Sequence, residues 1–227
     1  MLVLFDIDMT LVSTDGAGIE ALEAAGSDLF GIGFRADSIA YGGRIDPVIF
    51  AELLEVNGVG ATPERVAMLR DGYAERLPAL LPGRAEAMPG ARALVDGVVD
   101  AGTTAGLLTG NVEATGTAKL VAAGFDMDAF RVRVWGDDSP HDPPERDHLP
   151  GVALERHAAM VGERLDAEHA AVVGDTIHDV ACAKAHGLRC LAVATGKYDA
   201  GVLAEAGADL VVDDLTETEG LVKWLTT

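Results

Sequence analysis

Positive charge is scarce in this chain, and lysine scarcer still. Seventeen Lys and Arg stand against 37 Asp and Glu in 227 residues, a formal net charge of −20, and the first lysine is Lys119. A nucleic acid or an anionic membrane calls for a basic face, so both are excluded as partners. Cysteine is rarer: Cys182 and Cys190 are too few for a disulfide framework and read as small apolar residues in helix and strand segments. Long hydrophobic runs are missing as well. No apolar stretch reaches the roughly 18 to 20 residues of a membrane span, and the short one at the start lacks a basic flank and runs into Asp6, unlike a signal peptide. A soluble, cytoplasmic protein is expected, long enough for one large α/β domain or for a core domain with a smaller insert.

Short apolar runs, by contrast, are frequent. Leu2–Phe5, Thr104–Leu108, Val132–Trp135, Ala170–Val173 and Cys190–Ala194, with a weaker Leu210–Val212, are continuous rather than alternating. That is the pattern of parallel strands buried on both faces. Helical segments near Ala91–Ala101, Glu113–Ala123, Leu149–Val161 and Asp179–Ala185 separate the later ones. The alternation predicts an α/β fold with a doubly wound parallel sheet, whose ligand sits beyond the carboxyl ends of the strands.

Between the first two strands the chain carries helical signals only. Asp46-Pro47 opens a helix that Asn57-Gly58 closes, and Thr62-Pro63-Glu64 opens another with Val66, Leu69, Tyr73 and Leu77 at helical spacing. Pro78, Pro82 and Pro89, with Gly83 and Gly90, mark the way out. Residues 14–86 are thus expected to form an inserted α-helical cap on a core of residues 1–13 and 87–227.

Acidic residues cluster at the ends of two of the strands. Asp6 and Asp8 follow the first, and Asp175 and Asp179 follow Ala170–Val173. A single Asp there is ordinarily a turn former or a helix cap. Two strands each ending in such a pair point instead to one acidic rim, provided the strands are adjacent. Carboxylates so close cannot all stay ionised unaided, and a hard divalent cation, Mg2+ where phosphate is the other partner, relieves them. A third strand end, Thr109-Gly110-Asn111, offers a hydroxyl, an amide and backbone N–H groups as a phosphate seat, or else merely a helix cap.

Asp6-x-Asp8-x-Thr10, the strand into Thr109-Gly110-Asn111, and Gly174-Asp175-Thr176-x-x-Asp179 together resemble the haloacid dehalogenase superfamily of hydrolases, in the right order and across the whole chain. The helical insert is similar to the cap of phosphoglycolate-phosphatase-like members. The resemblance implies a phosphatase acting on a small phosphate monoester through an aspartyl-phosphate. Asp6 would be the nucleophile and Asp8 the general acid and base. Asp6, the carbonyl of Asp8, and Asp175 would hold Mg2+, with Asp179 in support, and Thr109, Gly110 and Asn111 would bind phosphate oxygens.

The family also calls for a cation between the second and fourth motifs. Arg146, just before a helix, is the first candidate, with a loop ion pair to Asp137, Asp138 or Asp142 as its ordinary reading. Lys119, inside the helix after Thr109, is the second. Met9 stands where many relatives have glycine. In the cap, Arg44 of Tyr41-Gly42-Gly43-Arg44 could bind a substrate anion, or could belong to a loop ion pair ahead of an N-cap at Asp46. Asp8 argues against dehalogenation, and the lack of any lysine in 14–86 against phosphonate cleavage by a Schiff base. A sugar-phosphate mutase of the same fold stays open as an alternative, as does a non-catalytic binding protein.

Overall fold

The computed structural model describes all residues, 1–227. Its centre is a six-stranded parallel sheet in the order β5-β4-β1-β6-β7-β8, from strands β1 (Leu2–Phe5), β4 (Thr104–Leu108), β5 (Phe130–Val134), β6 (Ala170–Gly174), β7 (Arg189–Val193) and β8 (Leu210–Val212). β1 pairs with both β4 and β6, so Phe5 lies opposite Leu107 on one side and Val173 on the other. From β1 the chain winds outward one way through β4 and β5, and the other way through β6 to β8. The crevice at this switch point opens beyond the strands' carboxyl ends.

Both sheet faces are covered, which is why the strands are apolar throughout. Val3 and Phe5 join a cluster with helices α4 (Ala91–Asp100) and α5 (Glu113–Ala122) and the C-terminal α9 (Thr218–Thr226). Leu2 and Leu4 point the other way, toward α6 (Leu149–Val161), α7 (Ile177–Ala185) and α8 (Ala200–Glu205). A third cluster belongs to α1 (Ala17–Phe30), α2 (Asp46–Val56) and α3 (Pro63–Leu80), closed by Val112. No helix is long and apolar enough to cross a membrane.

Several boundaries differ from the sequence expectation. β5 begins at Phe130, two residues before the apolar run, because it is an edge strand with Arg131 exposed and Arg133 half-buried between buried neighbours. Its pattern alternates, and reading only continuous runs truncates it. α7 begins at Ile177 rather than Asp179, since Thr176 caps it and Asp179 completes a capping box. Pro78 does not end α3: it lies within the helix, which runs on to Leu80. There buried Leu77 and Leu81 hold the last turn against the lost backbone donor. Two strands went unforeseen, β2 (Val12–Ser13) and β3 (Glu86–Ala87), which pair antiparallel where the helical segment leaves and rejoins the sheet. Two residues are too few to show a period.

Candidate active site

Parallel pairing carries Asp6, Thr109 and Asp175 to one end of the sheet. The Asp6 N–H donates to the Val173 carbonyl at 2.9 Å and that of Thr109 to Val134 at 3.2 Å, so each residue continues its strand outward. Asp6, Asp175 and Asp179 converge, one oxygen from each lying within 4.8 Å of the others. They are 6%, 4% and 0% exposed.

Arg146, in a short 3-10 turn before α6, reaches this group from outside the strands. Its Nη2 donates to Asp6 at 2.9 Å and to Asp179 at 2.5 Å. The partners are therefore not Asp137, Asp138 or Asp142, and Asp138 pairs with Arg156 instead. One guanidinium does not balance three carboxylates. Burial pushes Asp6 up to about 6 against the pull of Arg146, with Asp179 and Asp8 adding to the rise. Burial, with the charges of Asp6 and Asp179, pushes Asp175 up to about 8. An all-oxygen donor set short of positive charge suits a hard divalent cation. The residues present fit one.

Around this cluster the supports are specific. Thr10 Oγ1 donates to Asp175 at 3.2 Å, and a Cβ at Gly196 would overlap the Asp175 carboxylate. Asp179 accepts from the N–H and the hydroxyl of Thr176, at 3.0 and 2.6 Å. Met9 has a φ of 60°, in the left-handed region, which explains why glycine suits that position; its carbonyl accepts from Thr195 at 2.5 Å.

The second aspartate stands apart. The Asp8 carboxylate takes both oxygens to Lys119 Nζ, at 2.7 and 2.8 Å, and accepts from the Asn111 amide at 2.8 Å. Lys119 donates also to Asn111 Oδ1 at 2.7 Å. Its burial opposes the charged form, yet Asp8, Tyr73 and Asp46 outweigh that and raise its pKa. Lys119 lies on the buried face of α5 with Thr115, Gly116 and Leu120, which turns it inward toward Asp8.

Thr109 is fully buried, and its hydroxyl accepts from the amide of Asn111 at 2.9 Å and from its N–H at 3.3 Å. The helix beyond begins at Glu113, where it was expected, so Thr109, Gly110 and Asn111 lie in the loop before it. The N–H of Val112, the residue before the helix, donates to Asp46 Oδ2 of the helical segment at 2.9 Å, while the Asp46 N–H donates to the Gly110 carbonyl at 2.7 Å. A Cβ at Gly110 would overlap the Arg44 carbonyl oxygen. Asp46 is thus a clasp between α2 and the Thr109 loop. Burial, against the pull of Lys119, pushes its carboxyl up to about 7. Sequence reasoning read Asp46 only as a helix start, and Tyr73 only as a periodic apolar position.

Asp6, Asp8, Asp46, Lys119, Arg146, Asp175 and the Thr109 loop line one cavity of about 420 Å³, with Tyr41, Arg44, Ile49 and Tyr73 on the side of the helical segment, while fully buried Asp179 lies behind the lining. Arg44 borders it with its guanidinium paired to Glu52 and donating to the Ala40 carbonyl at 2.8 Å. His178 is exposed on α7 against Gly43 and does not line the cavity.

Comparison with known proteins agrees with this geometry. The family model described as HAD-hydrolase-like matches residues 150–218, the part that includes β6, Asp175 and Asp179. A protein of Dickeya dadantii described as a probable phosphatase, IndB, is 30% identical over 96% of this chain and 92% of its own length. Phosphoglycolate phosphatase 1 of Pseudomonas aeruginosa is 29% identical over 95% of this chain and 77% of its own. Among solved structures, CbbY of Rhodobacter sphaeroides in complex with phosphate superposes with a TM-score of 0.77 at 22% identity, covering 95% of each chain. A hydrolase of Pseudomonas syringae superposes at 0.73 with 22% identity, over 100% of this chain and 99% of its own, so both attest to the fold. With about three residues in ten shared with two phosphatases over nearly the whole chain, 30% and 29%, and a fold of this kind, the chain belongs to the haloacid dehalogenase superfamily of hydrolases, as a phosphoglycolate-phosphatase-like phosphoric monoester hydrolase.

Proposed function

We propose that the protein is a Mg2+-dependent phosphatase of a small-molecule phosphate monoester, working through an aspartyl-phosphate on Asp6. The observation that carries this reading is the place of Asp6. It is a buried carboxylate at the floor of the cavity, with Arg146 on one oxygen and Asp175 and Asp179 alongside. In this reading residues 14–86 are a cap that closes over the substrate. Asp6, the backbone carbonyl of Asp8, and Asp175 hold Mg2+, with Asp179 supporting from behind. The ion supplies positive charge that lets an anionic nucleophile meet an anionic phosphate.

The remaining work falls to the chain. An Asp6 oxygen attacks phosphorus as the bond to the leaving oxygen breaks, and Asp8 gives that oxygen its proton. Water then attacks the phosphorus of the acyl phosphate, Asp8 takes its proton, and phosphate leaves with Asp6 restored. Lys119 holds both Asp8 oxygens in the resting enzyme. An entering phosphate gives Lys119 a second anion to serve, which frees Asp8 to carry a proton. Arg146 keeps Asp6 aimed and meets phosphate oxygens, joined by Thr109 and the N–H groups of Gly110 and Asn111. Turnover of p-nitrophenyl phosphate, with and without Mg2+ after chelation, tests the reading. Hydrolysis that returns only with the metal is expected, and a folded sample inert with Mg2+ would remove it.

A further inference from the structure

The cavity has a second wall, away from the three carboxylates, which the leaving group must face. Ser13, Thr14, Asp15, Tyr41, Asp46 and Tyr73 border it, the Tyr41 hydroxyl held by the Ala36 carbonyl and Asp46 by the Val112 N–H. Every cation that reaches the cavity is already paired. Arg146 serves Asp6 and Asp179, Lys119 serves Asp8, and Arg44 serves Glu52. Arg84, close behind Gly16, pairs with Glu20 and donates to the Asp15 carbonyl. An entering phosphoryl group draws on Arg146 and Lys119. A second anion on the leaving group would then have to displace Glu52 from Arg44, or lie near Asp15 without a partner. Neutral hydroxyls have the opposite prospect, since carboxylates and phenols both accept from them.

Size points the same way. A cavity of about 420 Å³ falls in the range of about 300–1,000 Å³ that takes whole small ligands. A two-carbon acid would leave much of this one to water. Gly16 and Gly18 help to open the floor here; a Cβ at Gly18 would come within 3.2 Å of the Tyr73 hydroxyl.

Resting on the phosphatase reading above, we infer that the substrate's leaving group is a neutral, polyhydroxylated alcohol of at least pentose size. Monoesters whose leaving group carries a carboxylate or a second phosphate are discriminated against by Asp15 and by the want of an unpaired cation on this wall. The same wall disfavours a mutase cycle, which must seat a doubly phosphorylated sugar.

Matched substrate pairs test this in the full-length enzyme with Mg2+: ribose 5-phosphate against 5-phosphoribonate, and 2-hydroxyethyl phosphate against phosphoglycolate. Each pair differs by a carboxylate in place of a neutral carbon centre. The neutral member should have a kcat/KM at least about tenfold higher in both pairs, as like charge costs in a partly screened site. Ribose 5-phosphate should also exceed 2-hydroxyethyl phosphate. Asp15→Asn should narrow the ratio; Asp15 has a φ of 46°, which asparagine tolerates, so the loop is kept. A thermal-shift titration of the Asp6→Asn variant with ribose 5-phosphate and 5-phosphoribonate reads the same preference without turnover. An anionic member that matches or exceeds its neutral partner, or a ratio that Asp15→Asn leaves unmoved, overturns the inference. Failure to hydrolyse even p-nitrophenyl phosphate would instead overturn the phosphatase reading beneath it.

Discussion

Arg146 holds two carboxylates on a single nitrogen, at 2.9 and 2.5 Å, inside a site that water barely reaches. Removing it leaves Asp6, Asp175 and Asp179 crowded and without their cation. Arg146→Ala should therefore destabilise the metal-free protein by about 3–5 kcal/mol in urea unfolding, with Arg146→Lys losing clearly less. Equal losses for the two would mean that charge is not what Arg146 supplies. The same crowding sets a pH dependence. Asp6 and Asp175 bind protons more tightly folded, at about 6 and about 8, than unfolded, near 3.8. Between about pH 4 and 8 these two carboxyls thus hold more protons in the native state than in the unfolded chain, and their contribution to stability falls as pH rises. Metal-free protein should melt at a lower temperature at pH 8 than at pH 5. Mg2+ should restore more at pH 8, where the carboxyls have less proton to give up. A melting temperature that climbs over this range, or a Mg2+ effect independent of pH, would contradict the buried acidic cluster.

Contacts between elements decide how closely the helical segment meets the sheet. The Thr109 loop and the start of α2 touch at close range: Asp46 N–H on the Gly110 carbonyl, Val112 N–H on the Asp46 carboxylate, and no room at Gly110 for a side chain beneath the Arg44 carbonyl. Gly110→Ala should push α2 away, raising KM and lowering kcat/KM by about tenfold or more while the core keeps its circular dichroism. Wild-type kinetics in that variant would show that the contact is not needed. Such contacts were not legible in the sequence. The strands were, because burial on both faces writes itself as apolar runs, and so were the carboxylates at their ends. What hid was whatever depends on the meeting of distant segments. Lys119 faces Asp8 because α5 turns that side inward, and Asp46 caps a loop more than sixty residues on. β2 and β3, two residues each, exist only because the linkers run side by side.

Taken whole, the molecule carries a net charge of −20 and acts on an anion. Its long-range field opposes approach, and attraction begins only near Lys119 and Arg146. Raising ionic strength from about 0.01 to 0.15 M shortens the screening length from about 30 to 8 Å and should raise kcat/KM for a phosphate dianion several-fold. A fall with added salt would mean that local positive potential dominates the approach. Within that field the strand ends bring Asp6, Thr109 and Asp175 to one rim where Arg146 joins them, and in the proposed mechanism this assembly makes Asp6 a nucleophile. Borohydride quenching of the enzyme during turnover, followed by peptide mass spectrometry, tests it most directly, since reduction converts an aspartyl-phosphate to homoserine. Homoserine at position 6, formed only with substrate and Mg2+ and absent from the Asp6→Asn variant, is the predicted result. Continued turnover with position 6 unmodified in every quench would contradict it.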